Sequence, residues 1–182
     1  LPISLCYPGR KEAISLKNAC RPDWQTEFAD QIDDLLHTPA VQNLQYYPHH
    51  HRVTRYEHVL LVAQLSFRIA RAWGLDSRAV ARSALLHDLY HGGKDANYLR
   101  HSRTHPLTAL HNAMNVTTLS AKEQNIIASH MWPLCTARPR SREAWLVNAV
   151  DTLTAFVDVL GCNGKLRKQT GSDRMKEQAQ EL

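Results

Sequence analysis

Apolar residues recur along this chain at helical spacing, and alternating strand patterns are nearly absent. Trp24, Phe28, Ile32 and the pair Leu35-Leu36 fall on one face, which predicts a first helix from Asp23 to about His37, just after Pro22. Pro39 breaks it, and Pro48 closes a short second segment. A longer helix is expected from Tyr56 to Trp73, stopping at Gly74 as helices commonly do. Asp76 then caps a helix that runs through about Tyr90 and ends before Gly92-Gly93. Pro106 suits a first helical position and opens a helix to about Val116. Ser120 with Glu123 forms a capping-box pattern for a helix to about Met131. The last long helix is expected from about Ser141 to Leu160, ending at Gly161. The tail after Gly164 is polar, lacks an apolar face and is expected to be frayed or only partly helical. The pattern as a whole predicts an all-α fold, a single-domain helical bundle.

Composition adds bounds rather than detail. The chain of 182 residues is long enough for one domain with a real core, and 43% hydrophobic with 21% charged residues is ordinary for a soluble globular protein. Residues 1–50 are expected to form a helical segment packed on the core, 51–162 the central helical domain, and 163–182 a polar tail. The longest apolar runs, LLVA and AWLVNAV, are far short of the ~20 residues that span a bilayer, so no membrane association is expected. No N-terminal stretch reads as a signal peptide. Cys6, Cys20, Cys135 and Cys162 have no regular spacing and read as free thiols in a reducing, cytoplasmic setting. A net charge of +5 suits a small anionic substrate and is too weak by itself to argue for nucleic acid.

Histidines change the picture. There are eleven, and several stand inside or at the edge of expected helices together with aspartates: His58, His87-Asp88, His105, His130 and Asp151. Imidazole with carboxylate is the ligand chemistry of zinc, iron and manganese. Neighbouring helical residues point about 100° apart, so His87 and Asp88 cannot both be ordinary core residues. Asp151 lies among Val147, Val150, Leu153 and Val157, where a carboxylate is costly unless paired or bound to a cation. Each residue alone has a plain reading: a hydrogen-bonded core histidine for His58, a helix C-terminal cap for His130, an arginine-paired acid for Asp151. His105 and His111 compete for one role. The run His49-His50-His51 reads as a loop or the rim of a site.

The segments YEHVLLVAQLSFRIARAWGLD, ARSALLHDLY, THPLTALHNA, IIASHMWPL and LVNAVDTLTA, spanning roughly residues 54–156, resemble the HD-domain superfamily of metal-dependent phosphohydrolases. The resemblance implies a helical bundle of that type, with its signature on His58, His87-Asp88 and Asp151. Members with two metals carry two further histidines, which by position are similar to His105 and His130. His105 is preferred to His111 because Pro106 follows it directly. The chain also looks like the small binuclear members that include symmetrical diadenosine tetraphosphate hydrolases. It departs from the regulatory subgroup, whose dipeptide continues as HDIGK: here it runs on as HDLYHGGK, with Lys94 displaced, and the GYP motif of cyclic-di-GMP phosphodiesterases is missing.

The resemblance implies a hydrolase of phosphate esters or anhydrides acting on a nucleotide or dinucleotide through a metal-bound hydroxide, because a coordinated water can ionise near pH ~7. Asp88 would bridge two ions, with His58, His87 and Asp151 on the first and His105 and His130 on the second. Asp88 and His87 are the catalytic candidates. Iron or manganese suits such mixed ligation, with zinc or cobalt admissible. Lys94, Arg103 and Arg55 are the candidate phosphate contacts, with Arg100 beside them, and His91 and His101 are candidates for proton delivery. Trp132, Tyr90, Tyr98 and Tyr46-Tyr47 suit either base stacking or core packing. The rivals are a helical nucleotide-binding or regulatory module without catalysis, di-iron oxygenase chemistry on the same scaffold, and nucleic-acid binding through RPRSR (138–142) and 165–176. The last is not expected, because neither basic stretch has interleaved aromatics.

Overall fold

A computed structural model describes residues 23–50, 53–92 and 98–159. Among them are seven α-helices: α1 Trp24–Leu36, α2 Pro39–Gln42, α3 Arg55–Ala72, α4 Ser77–Leu86, α5 Tyr98–Val116, α6 Ala121–Ser129 and α7 Arg142–Val159. A 3-10 turn at Asn43–Tyr46 leads into a short antiparallel hairpin, β1 Pro48–His50 with β2 Val53–Thr54, that pairs Pro48 with Thr54 and His50 with Val53. The fold is all-α, as the periodicity requires. The hairpin is too short to give an alternating signal. The tail beyond residue 159 and the segment before residue 23 lie outside the described residues, as do Lys94 and Gly161.

The helix ends follow their caps. Asp76 accepts from the Ala79 amide at 3.0 Å and starts α4. Ser120 and Glu123 exchange backbone bonds at the start of α6, the reciprocal pattern that satisfies two orphan amides. Thr54 and Glu57 do the same for α3, a capping box present in the sequence as TRYE but not among the expectations above. At the other end of α3, Gly74 has φ of 65°. Leu75 N–H donates to the Ala70 carbonyl at 2.9 Å, closing the Schellman turn that this glycine permits.

Helix α4 is the axis of the molecule, packed against α1, α3, α5, α6 and α7. Every residue from Ala79 to Leu89 is buried. Phe28 and Ile32 of α1, Leu60 and Phe67 of α3, Leu85 of α4, Ile126 of α6 and Val147 of α7 share one core. Phe28 packs against Phe67 with ring centroids 5.3 Å apart, so α1 is part of that core. Arg82, buried on α4, ties the layers by forking onto Asp34 at 2.5 and 2.9 Å and donating to the Gln31 carbonyl at 3.0 Å.

Three boundaries differ from expectation, and all three bear on chemistry. Helix α4 stops at Leu86, so His87-Asp88 lie in the turn after it rather than within its last turn. Helix α6 stops at Ser129, one residue before His130. Helix α5 begins at Tyr98, so Pro106 sits inside it and His105 is a mid-helix residue. An interior proline lacks its N–H and its ring crowds the carbonyl four residues back, yet α5 runs through Pro106. Arg100 and Arg103, which precede the expected helix start at Pro106, are therefore helical.

Candidate metal centre

His87 and His130 occupy the same local position. Each is the C-cap of a short helix. His87 Nδ1 donates to the Ala84 carbonyl at 2.7 Å, and His130 Nδ1 donates to the Ile127 carbonyl at 2.8 Å. Each thus satisfies a carbonyl left over at its own helix end and turns Nε2 the other way. His105 does the same from within α5, with Nδ1 donating to the His101 carbonyl at 3.0 Å. A carbonyl can only accept, so all three rings carry hydrogen on Nδ1 and, when neutral, a bare lone pair on Nε2.

Those lone pairs face each other or a carboxylate. His105 Nε2 is 2.8 Å from His130 Nε2. Burial depresses the pKa of both rings, with His87 and His105 adding to the effect on His130, whose pKa falls to about 3. Two neutral rings with bare nitrogens at this distance repel unless a cation lies between. His87 Nε2 is 3.3 Å from Asp151 Oδ1. His58 Nε2 is 2.9 Å from the same oxygen, and its Nδ1 is 3.1 Å from Asp158 Oδ2. Burial opposes charge on His58, but Asp151 and Asp158 outweigh it and hold its pKa at about 9. Metal-free His58 therefore carries two protons, one of them between Nε2 and Asp151. Burial would raise the Asp151 pKa as well, but His87 and His58 hold it well below the usual carboxylate range.

These separations test whether a metal fits. Two donors each about 2.1 Å from one ion, at angles from octahedral to tetrahedral, lie roughly 3.0–3.4 Å apart. The donor atoms of His58, His87 and Asp151 come within 4.8 Å of one another, and the two closest contacts are at 2.9 and 3.3 Å. The residues fit a divalent transition metal. His105 and His130 add a second nitrogen pair beside them, with the His87 and His130 rings 4.9 Å apart.

Asp88 stands differently from the expected bridge. It lies outside the triad. Its Oδ1 is 3.8 Å from His105 Nε2, while Oδ2 is 3.0 Å from Arg55 Nε and 3.6 Å from His49 Nδ1. Burial would raise its pKa, but His49 and Arg55 hold the group firmly ionised.

Arg55, expected to face phosphate, is buried instead. Besides Asp88, its guanidinium contacts the Tyr90 and Gly92 carbonyls and lies near the Tyr47 and Tyr90 rings, with centroids at 5.7 and 5.2 Å. It fixes Asp88 and the turn after α4. Arg103 is exposed, as is Arg100. Arg103 is two residues from His105, about 200° around the helix, so the two occupy opposite faces. His101, one turn before His105, shares its face and stacks on it at 4.6 Å. Lys94 lies outside the described residues. His91 is exposed, near the Ala40 carbonyl at 3.1 Å. His111 is exposed while His105 is buried. Tyr46 and Trp132 lie at least partly open, and Tyr90 packs beside Arg55.

Three further residues complete the site. Asp158 holds His58 from behind. It was legible as the end of a buried polar stripe at Asp151, Thr154 and Asp158 on an apolar helix, spaced three and four apart. His49, from the hairpin, stacks on His58 with centroids 3.9 Å apart. Asn148 of α7 donates to the His130 and Trp132 carbonyls at 2.6 and 2.9 Å and so fixes the His130 cap. Nothing in the sequence marks Asn148 out.

Compared with models of protein families, residues 55–155, more than half of the chain, match the HD domain. No curated protein and no solved structure matches.

Proposed function

Because the chain belongs to the HD-domain family, we propose that it is a metal-dependent phosphohydrolase that cleaves an ester or anhydride bond of a nucleotide or dinucleotide. The observation that carries this reading is the set of inward-facing imidazoles. His58, His87, His105 and His130 each commit Nδ1 to an oxygen and present Nε2 to one buried space. Histidine ligands of metals are held in this way from behind.

His58, His87 and Asp151 hold one divalent ion, and His105 and His130 a second, with iron or manganese the best match to mixed imidazole and carboxylate donors. When bound, such ions supply Lewis acidity at a phosphoryl oxygen and make water a nucleophile near neutral pH. The chain's own groups then divide the work. His87 and His130 keep Nδ1 on helix-end carbonyls, so they bind and do not shuttle protons. Arg55 occupies Asp88 Oδ2 and leaves Oδ1, 3.8 Å from His105 Nε2, as an acceptor that would orient a water by hydrogen bonding without taking its proton. His101, half-buried on the face of His105, borders the site where a leaving group would depart. Substrate phosphate contacts come from outside the buried shell, with Lys94 the candidate from sequence and Arg103 turned to the face opposite His105.

The test is elemental analysis of untagged protein with assays on nucleoside monophosphates and dinucleoside polyphosphates. The expected result is about two iron or manganese ions per chain, with phosphate release and no oxygen uptake. His105→Ala is expected to keep one ion and lose activity, whereas His111→Ala changes neither. Protein that takes up no ion on reconstitution is a helical binding module instead, and oxygen consumption with substrate turnover points to the oxygenase chemistry.

A further inference from the structure

Among the four imidazoles read as ligands, His58 alone turns Nδ1 to a side chain rather than to a main-chain carbonyl. That side chain is Asp158, at 3.1 Å. Asp158 lies two helical turns beyond Asp151 on α7 and is only 1% exposed. Its second oxygen, Oδ1, is buried with no hydrogen-bond partner among the described residues. A buried carboxylate with half its acceptors unmet is costly, and among the described residues its one side-chain hydrogen bond is to His58. On the other side, the His49 ring lies over His58 at 3.9 Å and 17° from parallel, with Nδ1 3.6 Å from Asp88 Oδ2. Residue 49 precedes the family match at 55–155, and residue 158 follows it.

We propose that Asp158 and His49, one on either side of the family segment, are positioning residues for His58: Asp158 fixes its rotation and tautomer, and His49 its tilt. The inference rests on the metal-binding reading above. An acceptor carboxylate on Nδ1–H makes Nε2 a more basic donor, so the first ion binds more tightly than three unsupported ligands would hold it. Arg55 and His49 place Asp88 in the same arrangement, so the hairpin belongs to the site as well as to the fold.

The donor atoms of His49, His58 and Asp158 also lie within 4.8 Å of one another, which raises a separate cation site among them. The stacking argues against it. An imidazole lone pair lies in the plane of its ring, and these two rings occupy nearly parallel planes. An ion in line with one nitrogen is out of line with the other, so the cluster supports His58 better than it ligates.

The experiment is equilibrium dialysis of the metal-stripped full chain against Mn(II) and Co(II), with the visible spectrum of the cobalt form as a second readout. Asp158→Leu is expected to weaken the tight site by roughly 10–100-fold at unchanged stoichiometry. Asp158→Asn, whose oxygen still accepts from Nδ1–H, is expected to recover part of that loss and to decide the matter if Asp158→Leu does not fold. His49→Ala is expected to give a smaller loss and a shifted cobalt spectrum, with the affinity restored by His49→Phe, which keeps the stack. Wild-type affinity and spectrum in Asp158→Leu overturn the proposal. So does the loss of one whole ion, which makes Asp158 a ligand. A wild-type chain that takes up no ion overturns the metalloenzyme reading itself, and this inference with it.

Discussion

At the residue scale, the buried charges decide behaviour. Arg55 is 2% exposed and faces an aspartate nearly as buried. Removing one member of such a pair leaves the other uncompensated, which costs about 3–5 kcal/mol. His49 remains near Asp88 and lessens the loss, so Arg55→Met is expected to destabilise the metal-free protein by about 3 kcal/mol. Urea unfolding measures it, and an unmoved midpoint refutes the assigned role. The sequence singled out Arg55 by its place before the first ligand helix, but a linear reading cannot tell a cation that faces solvent from one that folds inward. The same limit explains Arg103, whose side of the helix depends on where α5 begins. Asp158 was within reach of the periodicity argument, because a buried stripe that is polar at three successive helical positions needs partners.

At the element scale, caps were the most reliable signals. Asp76 and Ser120 start helices where the sequence places them, because a short polar side chain meets the local demand of orphan amides without help from the rest of the fold. Helix ends at His87 and His130 were less legible. There the apolar pattern continues past the break, and a side-chain bond back to the helix stops the ladder. Asp76 also gives a pH prediction. The backbone N–H of Ala79 and then Lys122 outweigh burial and hold its carboxyl below its ordinary value of 3.8. A depressed folded pKa contributes stability above the unfolded value, lost as pH falls through the folded one. Asp76→Ala is therefore expected to cost about 1 kcal/mol at pH 7 and progressively less as pH drops below 3.8. Thermal melts of both proteins at pH 7 and pH 3 measure this, and an equal difference at the two pH values refutes it.

At the scale of the whole molecule, the described residues before the family segment, from residue 23 on, are integral. Phe28, Ile32, Leu35, Val41 and Leu44 are buried in the same core as α3 and α4. The 3.6-residue spacing of Phe28, Ile32 and Leu35 announced a helix, but no pattern within α1 tells which helix receives its face, and the contact with Phe67 is legible only in three dimensions. Phe28→Ala is expected to cost about 3–5 kcal/mol, read as a single shifted unfolding transition by calorimetry. A separate low-temperature transition for α1, with the remainder unmoved, contradicts the single core. The bundle converges its ligands because α3, α4, α5, α6 and α7 each bring one polar position to the same end.

Two of those ligands terminate helices, and this ties occupancy to dynamics. A helix end ordinarily frays, opening its last amides to solvent many times a second without consequence for the rest of the chain. Here the residue that caps each short helix would also hold an ion in the proposed reading, so every opening would break coordination. Filling the site should slow amide exchange across residues 84–90 and 127–135 by the binding free energy, with little change in α1. The metal acts as a clasp on two loose ends, and its departure is felt first as a change in rhythm rather than in shape.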